Sequence, residues 1–207
     1  MEINYRQSIY INLIHYPVQV LGIGSRVGIW FQGCSIGCKG CMARHTWQAG
    51  LERHRMDIGG VIKEVISYRD SKPDGITISG GEPFDQPDAL FELLMGIRNA
   101  GFTDIMLYSG YQFDDLKARY QYIVELIDVL IDGRYMQGIE TDYVWKGSAN
   151  QNANIITQDA LLRLRYNSYL KRRADKRRLQ IVEDPQGIYI IGIPRQQDTE
   201  AIQIVMC

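Results

Sequence analysis

Apolar positions along this chain follow two alternating spacings. Residues 27–33 (VGIWFQG), 76–79 (ITIS), 104–108 (DIMLY) and 127–131 (IDVLI) are short, nearly continuous apolar runs. That is the pattern of strands buried on both faces. Between these runs the spacing becomes helical. Asp57 caps a predicted helix to about residue 70, with Ile58, Val61, Ile62, Val65 and Ile66 on one face. Pro73-Asp74-Gly75 turns the chain into the next strand. Further amphipathic helices are predicted over roughly 87–99, stopping near Gly101, and 113–122. Strand–helix alternation of this kind predicts an α/β fold with mostly parallel strands and βαβ crossovers. Periodicity alone does not say whether such a sheet closes.

In parallel sheets, sites form at the carboxyl ends of the strands. Four distinctive segments fall there: the polar loop 34–56 with its cysteines, Gly80-Gly81-Glu82-Pro83, Ser109-Gly110-Tyr111, and Asp132-Gly133-Arg134. They are expected to converge on one edge of the sheet.

The character changes near residue 158. Residues 163–178 hold eight Lys/Arg against one Asp, a local charge of +7 that leaves −8 on the rest of the chain. Leu162, Tyr166, Tyr169 and Leu170 keep a helical apolar stripe beneath that basic face. LQIVE and IYIIGI flank a turn at Asp184-Pro185-Gln186-Gly187 and read as a hairpin, and 201–206 reads as a last strand. The chain therefore divides into residues 1–157 and a C-terminal extension, 158–207. The basic face is a solvated surface, a docking face for an acidic partner or, less favoured, a nucleic-acid contact.

Composition removes several classes. With 207 residues, 45% hydrophobic and 23% charged, the chain is neither disordered nor collagen-like. Lys+Arg (23) and Asp+Glu (24) balance, so net charge points to no anionic partner. No apolar run approaches a membrane span and the N-terminus lacks signal-peptide features, so a cytoplasmic protein is expected. Four cysteines are too few for a disulfide framework, and Cys34, Cys38 and Cys41 lie within eight residues. Clustered thiols in a reducing compartment are expected to be metal ligands. Three of them suit a 4Fe–4S cluster with one open iron, or a zinc ion completed by a nitrogen such as that of His45 or His54. The x3-then-x2 spacing favours the cluster, since a tight loop wraps one corner of a cubane.

C-x3-C-x2-C after an apolar strand, with Gly-Gly-Glu-Pro 39 residues later, resembles the radical S-adenosylmethionine (radical SAM) superfamily. Residues 22–47, Tyr108-Ser109-Gly110-Tyr111, 130–135 (LIDGRY) and 145–151 (WKGSANQ) narrow the resemblance to the anaerobic ribonucleotide reductase activating proteins. That likeness spans roughly residues 10–157. It implies a partial (βα) barrel, and a 4Fe–4S cluster held by Cys34, Cys38 and Cys41. The open iron would chelate SAM, whose reductive cleavage yields a 5′-deoxyadenosyl radical that makes a glycyl radical on a large partner reductase. A low-potential donor such as flavodoxin or ferredoxin would supply the electron.

By the same resemblance, backbone groups of Gly40, Cys41 and Met42 meet the adenine edge. Gly80 and Gly81 allow close backbone approach, and the Glu82 carboxylate suits SAM's amino group. Ser109 is read as a ribose or carboxylate contact, or a turn serine. Asp132 is read as a ribose or cation contact, or a partner for Arg134. Asn150 and Gln151 are SAM-pocket or buried-turn residues. Arg26 is expected to face the partner or the cluster loop. No side chain beyond the cluster and SAM site is expected to act as a catalyst. Two other functions compete: a compact radical SAM enzyme acting on a small molecule, nucleotide or peptide, its pocket closed by the extension, and a non-catalytic zinc or iron–sulfur module contacting nucleic acid.

Overall fold

The structure is a computed structural model and describes residues 7–173, 177–184, 187–195 and 198. Four strands are the parallel centre of a mixed sheet: β2 (Arg26–Phe31), β4 (Gly75–Gly80), β5 (Ile105–Tyr108) and β6 (Val129–Asp132). These are the predicted apolar runs, and nearly every residue in them is buried. Antiparallel strands extend both sides: β1 (Ser8–Val18) then β3 (Arg55–Asp57) beside β2, and β7 (Asn152–Ile155) beside β6. None of these three is among the predicted strands.

Helices α1 (Ile58–Ser67), α2 (Pro87–Asn99) and α3 (Phe113–Val124) are the predicted crossovers and cover one face of the sheet. Asp57 caps α1 by accepting from the Gly59 and Gly60 amides. The apolar stripes of the three helices meet Val27, Ile29, Phe31, Ile76, Ile78, Ile105, Leu107 and Leu130 in one core.

Alternate strand residues point to the other face, and there the chain after residue 157 provides the cover. Helix α4 (Ala160–Leu170) buries Leu162 and Tyr166 against Met106, Val129, Ile131 and Trp145. The hairpin of β8 (Leu179–Asp184) and β9 (Gly187–Gly192) buries Val182 and Ile191 against Leu13, Val18 and Leu21. The predicted stripe of α4 is present, with Arg163, Arg165 and Lys171 exposed. The helix ends at Leu170, short of the basic run's end. The predicted strand 201–206, Cys207 and the Pro185-Gln186 turn lie outside the described residues.

Candidate functional site

The C-terminal ends of β2, β4, β5 and β6 open onto a cavity of about 1090 Å³. The chain leaves β2 through the cysteine loop, which folds back on itself. Gly33 N donates to Thr46 O (2.7 Å), Cys34 N to Trp47 O (3.0 Å) and Cys41 N to Cys38 O (3.1 Å). Buried Gln32 props the returning segment from inside, its Nε2 donating to the carbonyls of His45 and Gln48. Cys34, Cys38 and Cys41 are free thiols, half-buried, and all three line the cavity. Burial pushes the Cys34 and Cys38 thiols above their ordinary value.

The loop after β4 is stitched onto this segment. Gly81 N donates to Phe31 O and Glu82 N to Gly33 O, both at 2.8 Å. Such an approach leaves no room for side chains. A Cβ on Gly80, whose φ is +100°, would strike the Phe31 backbone, and one on Gly81 would run into the Gly33 carbonyl oxygen. We expect Gly81→Ala to force the two loops apart, costing about 1–3 kcal/mol of stability and most of the bound iron. Thermal melting and iron analysis check this; a variant with wild-type iron content would show that the loops need not touch.

Glu82 is buried and accepts from Ser109 Oγ (2.9 Å), Gly110 N (2.7 Å) and Phe84 N (3.0 Å). Burial nonetheless raises its pKa to about 7, those donors opposing the shift. A carboxylate so placed on a cavity wall is suited to a cationic ligand.

Most of the predicted residues come together here. Gly40, Cys41, Met42, Gly80, Gly81, Glu82 and Ser109 all line the cavity. Asp132 and Asn150 are engaged in holding its surroundings. Asp132 accepts from Phe113 N at the start of α3 and from Asn154 Nδ2 on β7, while Asn150 Nδ2 donates to Arg134 O. Gln151, read with Asn150, is on the wall, as is Gly133 beside Asp132. Arg26 is not at a partner surface. It is fully buried at the opposite end of the strands, paired with Asp104. Sequence reasoning missed Asp85, which accepts from Ser35 N (2.6 Å) and from the Ser35 and Tyr111 hydroxyls, pinning the cysteine loop to the next two strand ends. Residues 187–194 of the extension supply a wall of the cavity, as the small-molecule reading expects of a pocket closed by the extension.

Three thiols on one loop offer three ligands to a cubane and leave one iron for another donor, so the residues present fit a 4Fe–4S cluster. Comparison with known proteins agrees. Residues 20–154 match the 4Fe-4S single cluster domain family. The anaerobic ribonucleoside-triphosphate reductase-activating protein of Escherichia coli is 34% identical over 145 residues, 66% of this chain and 93% of that protein. That of Haemophilus influenzae is 33% identical over 146 residues (67% and 94%), and that of Pasteurella multocida 32% over 154 (70% and 96%). The chain belongs to this activating-protein family. Its iron–sulfur character decides between cluster and zinc where the loop alone did not. The domain match stops within β7, so α4 and the β8–β9 hairpin lie beyond it.

Proposed function

We propose that this chain is a radical SAM activase that installs a glycyl radical on a partner such as an anaerobic ribonucleotide reductase. The observation that carries the reading is the stitching of the Gly-Gly-Glu loop onto the cysteine loop at one cavity, in a member of this family. Cys34, Cys38 and Cys41 hold the cluster. Backbone groups of Gly40 to Met42 take the adenine edge, and Gly80, Gly81 and Glu82 take the amino end of SAM's methionine half, with Ser109 holding the Glu82 carboxylate in place. Asp132 and Asn150 serve the site indirectly, by fixing α3 and the loop at Arg134. Once bound, cluster and SAM supply a one-electron cleavage that releases methionine and a 5′-deoxyadenosyl radical able to take a hydrogen atom from glycine.

The strand arrangement suits a partial (βα) barrel of the radical SAM kind, with the extension closing its inner face. Among the described residues no helix is long and apolar enough to cross a membrane. We place the protein in the cytoplasm, drawing electrons from a flavodoxin or ferredoxin. The test is anaerobic: reduced protein, SAM and the candidate reductase should give an EPR-visible glycyl radical on the reductase. SAM cleavage that leaves the reductase radical-free would sink the reading. The β9 wall favours a second reading, a small-molecule substrate enclosed within the cavity. Deuterium passing from a small molecule into 5′-deoxyadenosine without any protein partner would support it.

A further inference from the structure

Four buried side-chain polar atoms among the described residues have no hydrogen-bond partner: Asn12 Oδ1, Glu92 Oε2, Tyr108 OH and Asn150 Oδ1. Two of the four residues, Asn12 and Tyr108, line the cavity. Buried polar atoms are rarely left unpaired, because desolvation then goes uncompensated.

The orphan on Asn12 is fixed as the oxygen by its neighbours. Gln32 Nε2 donates to two carbonyls, so Gln32 Oε1 faces Asn12 and accepts from its Nδ2 at 2.9 Å. Asn12 also sits where the β1–β2 register slips, between the Ile11–Phe31 and Leu13–Trp30 pairs. Such bulges re-aim side chains beside functional sites. Tyr108 ends β5 and packs against both inner-face clusters, one carrying α4 and the other the hairpin. The chain's own C-terminal extension thus takes part in enclosing that tyrosine.

Both orphans are uncharged. One can only accept, and the other can donate. Tyr108 packs with Leu13, Leu21, Trp30, Tyr189 and Ile193, and the same cavity wall carries Ile188 and Ile190 together with Arg44, His45, Arg53 and His54. The complement is a neutral amide, an N–H for Asn12 and a carbonyl for Tyr108, carried by a group that tolerates an apolar surround.

We propose that Asn12 and Tyr108 form an amide-recognition site for the main chain of a substrate peptide segment. The proposal rests on the activase reading, in which the hydrogen donor is a glycine within a protein.

The test titrates holoprotein, loaded with cluster and SAM, with a capped peptide of about ten residues spanning the candidate reductase's glycine. A lost hydrogen bond is worth roughly a factor of ten in affinity, so Tyr108→Phe should bind about tenfold more weakly by calorimetry, and Asn12→Ala at least as weakly. Without peptide, Tyr108→Phe should melt at or above the wild-type temperature, since the deleted hydroxyl had no partner to lose. Asn12→Ala also strands Gln32 Oε1, so Tyr108→Phe is the decisive variant. Unchanged peptide affinity in Tyr108→Phe, no binding by wild type, or a lowered melting temperature of the peptide-free variant would overturn the site. A glycyl radical on intact reductase together with unchanged peptide affinity defeats the site and leaves the activase reading standing. Peptide affinity that falls in Tyr108→Phe, with no radical on the reductase, does the reverse.

Discussion

Replacing Cys34, Cys38 or Cys41 singly by Ala is expected to abolish reductive SAM cleavage, and to take iron from about four atoms per chain to near none after anaerobic reconstitution. The reason is geometric. One loop presents all three thiols, and its path is fixed by bonds from Gly33 and Cys34 to Thr46 and Trp47, with Asp85 gripping Ser35. No other cysteine occurs among the described residues to replace a lost ligand. Cys207→Ala, outside the matched family segment, should retain wild-type iron and cleavage. Iron and sulfide analysis with 5′-deoxyadenosine quantitation reads both outcomes. Equal loss in Cys207→Ala would overturn the three-ligand assignment, as would cleavage persisting in any one loop variant.

What was legible in the sequence followed burial on both faces. The runs around Ile29, Ile78, Leu107 and Leu130 are apolar because helices cover one side of the sheet and the extension the other, so they announce themselves without alternation. The cysteine loop and Gly-Gly-Glu-Pro were equally plain, since their chemistry allows few substitutes. Strand β1 was not. Asn12 at a bulge, His15 and Pro17 break its pattern, and it is recognisable only through its pairing with β2 and β3. Strands β3 (RMD) and β7 (NANI) are short and hold no continuous apolar run, unlike the equally short β5 and β6.

Roles set by partners distant in sequence were harder still. Asp132 sits at a strand end, as site residues do, yet Phe113 and Asn154 claim it. The extension's apolar stripe was readable from Leu162 to Leu170. That it would pack back and close a pocket was an open alternative; which strand residues it would meet was not readable, because they lie tens of positions away.

Arg26 shows the same blindness with the largest consequence for stability. A lone arginine before a strand reads as facing a partner or the cluster loop, but here it is fully buried. Its guanidinium donates to both Asp104 carboxylate oxygens (3.0 and 2.9 Å), to Thr77 Oγ1 and to the carbonyls of Ile23 and Ile76. Burial works against that charge, the adjoining Asp104 carboxylate supports it, and the Arg26 pKa lies above its ordinary value. Tyr166, from α4, donates to Asp104 Oδ1 at 2.6 Å and so latches the extension onto the ion pair.

Asp104→Ala should therefore cost about 3–5 kcal/mol, because it leaves a buried charge without its counter-ion. For a chain of this size that lowers the melting temperature by roughly 6–20 °C. Tyr166→Phe removes one bond to a charged group and should cost about 1.5–3 kcal/mol. Replacing the pair together, Arg26→Met with Asp104→Leu, should cost less than the sum of the two single changes, since neither partner is then stranded. Thermal and urea melts of Asp104→Ala, Tyr166→Phe, the Arg26→Met and Asp104→Leu single changes and their double decide it. If Asp104→Ala melts within a degree of wild type, the pair is not what joins the sheet to its extension. If the double variant loses the full sum, the two residues act independently despite their contact.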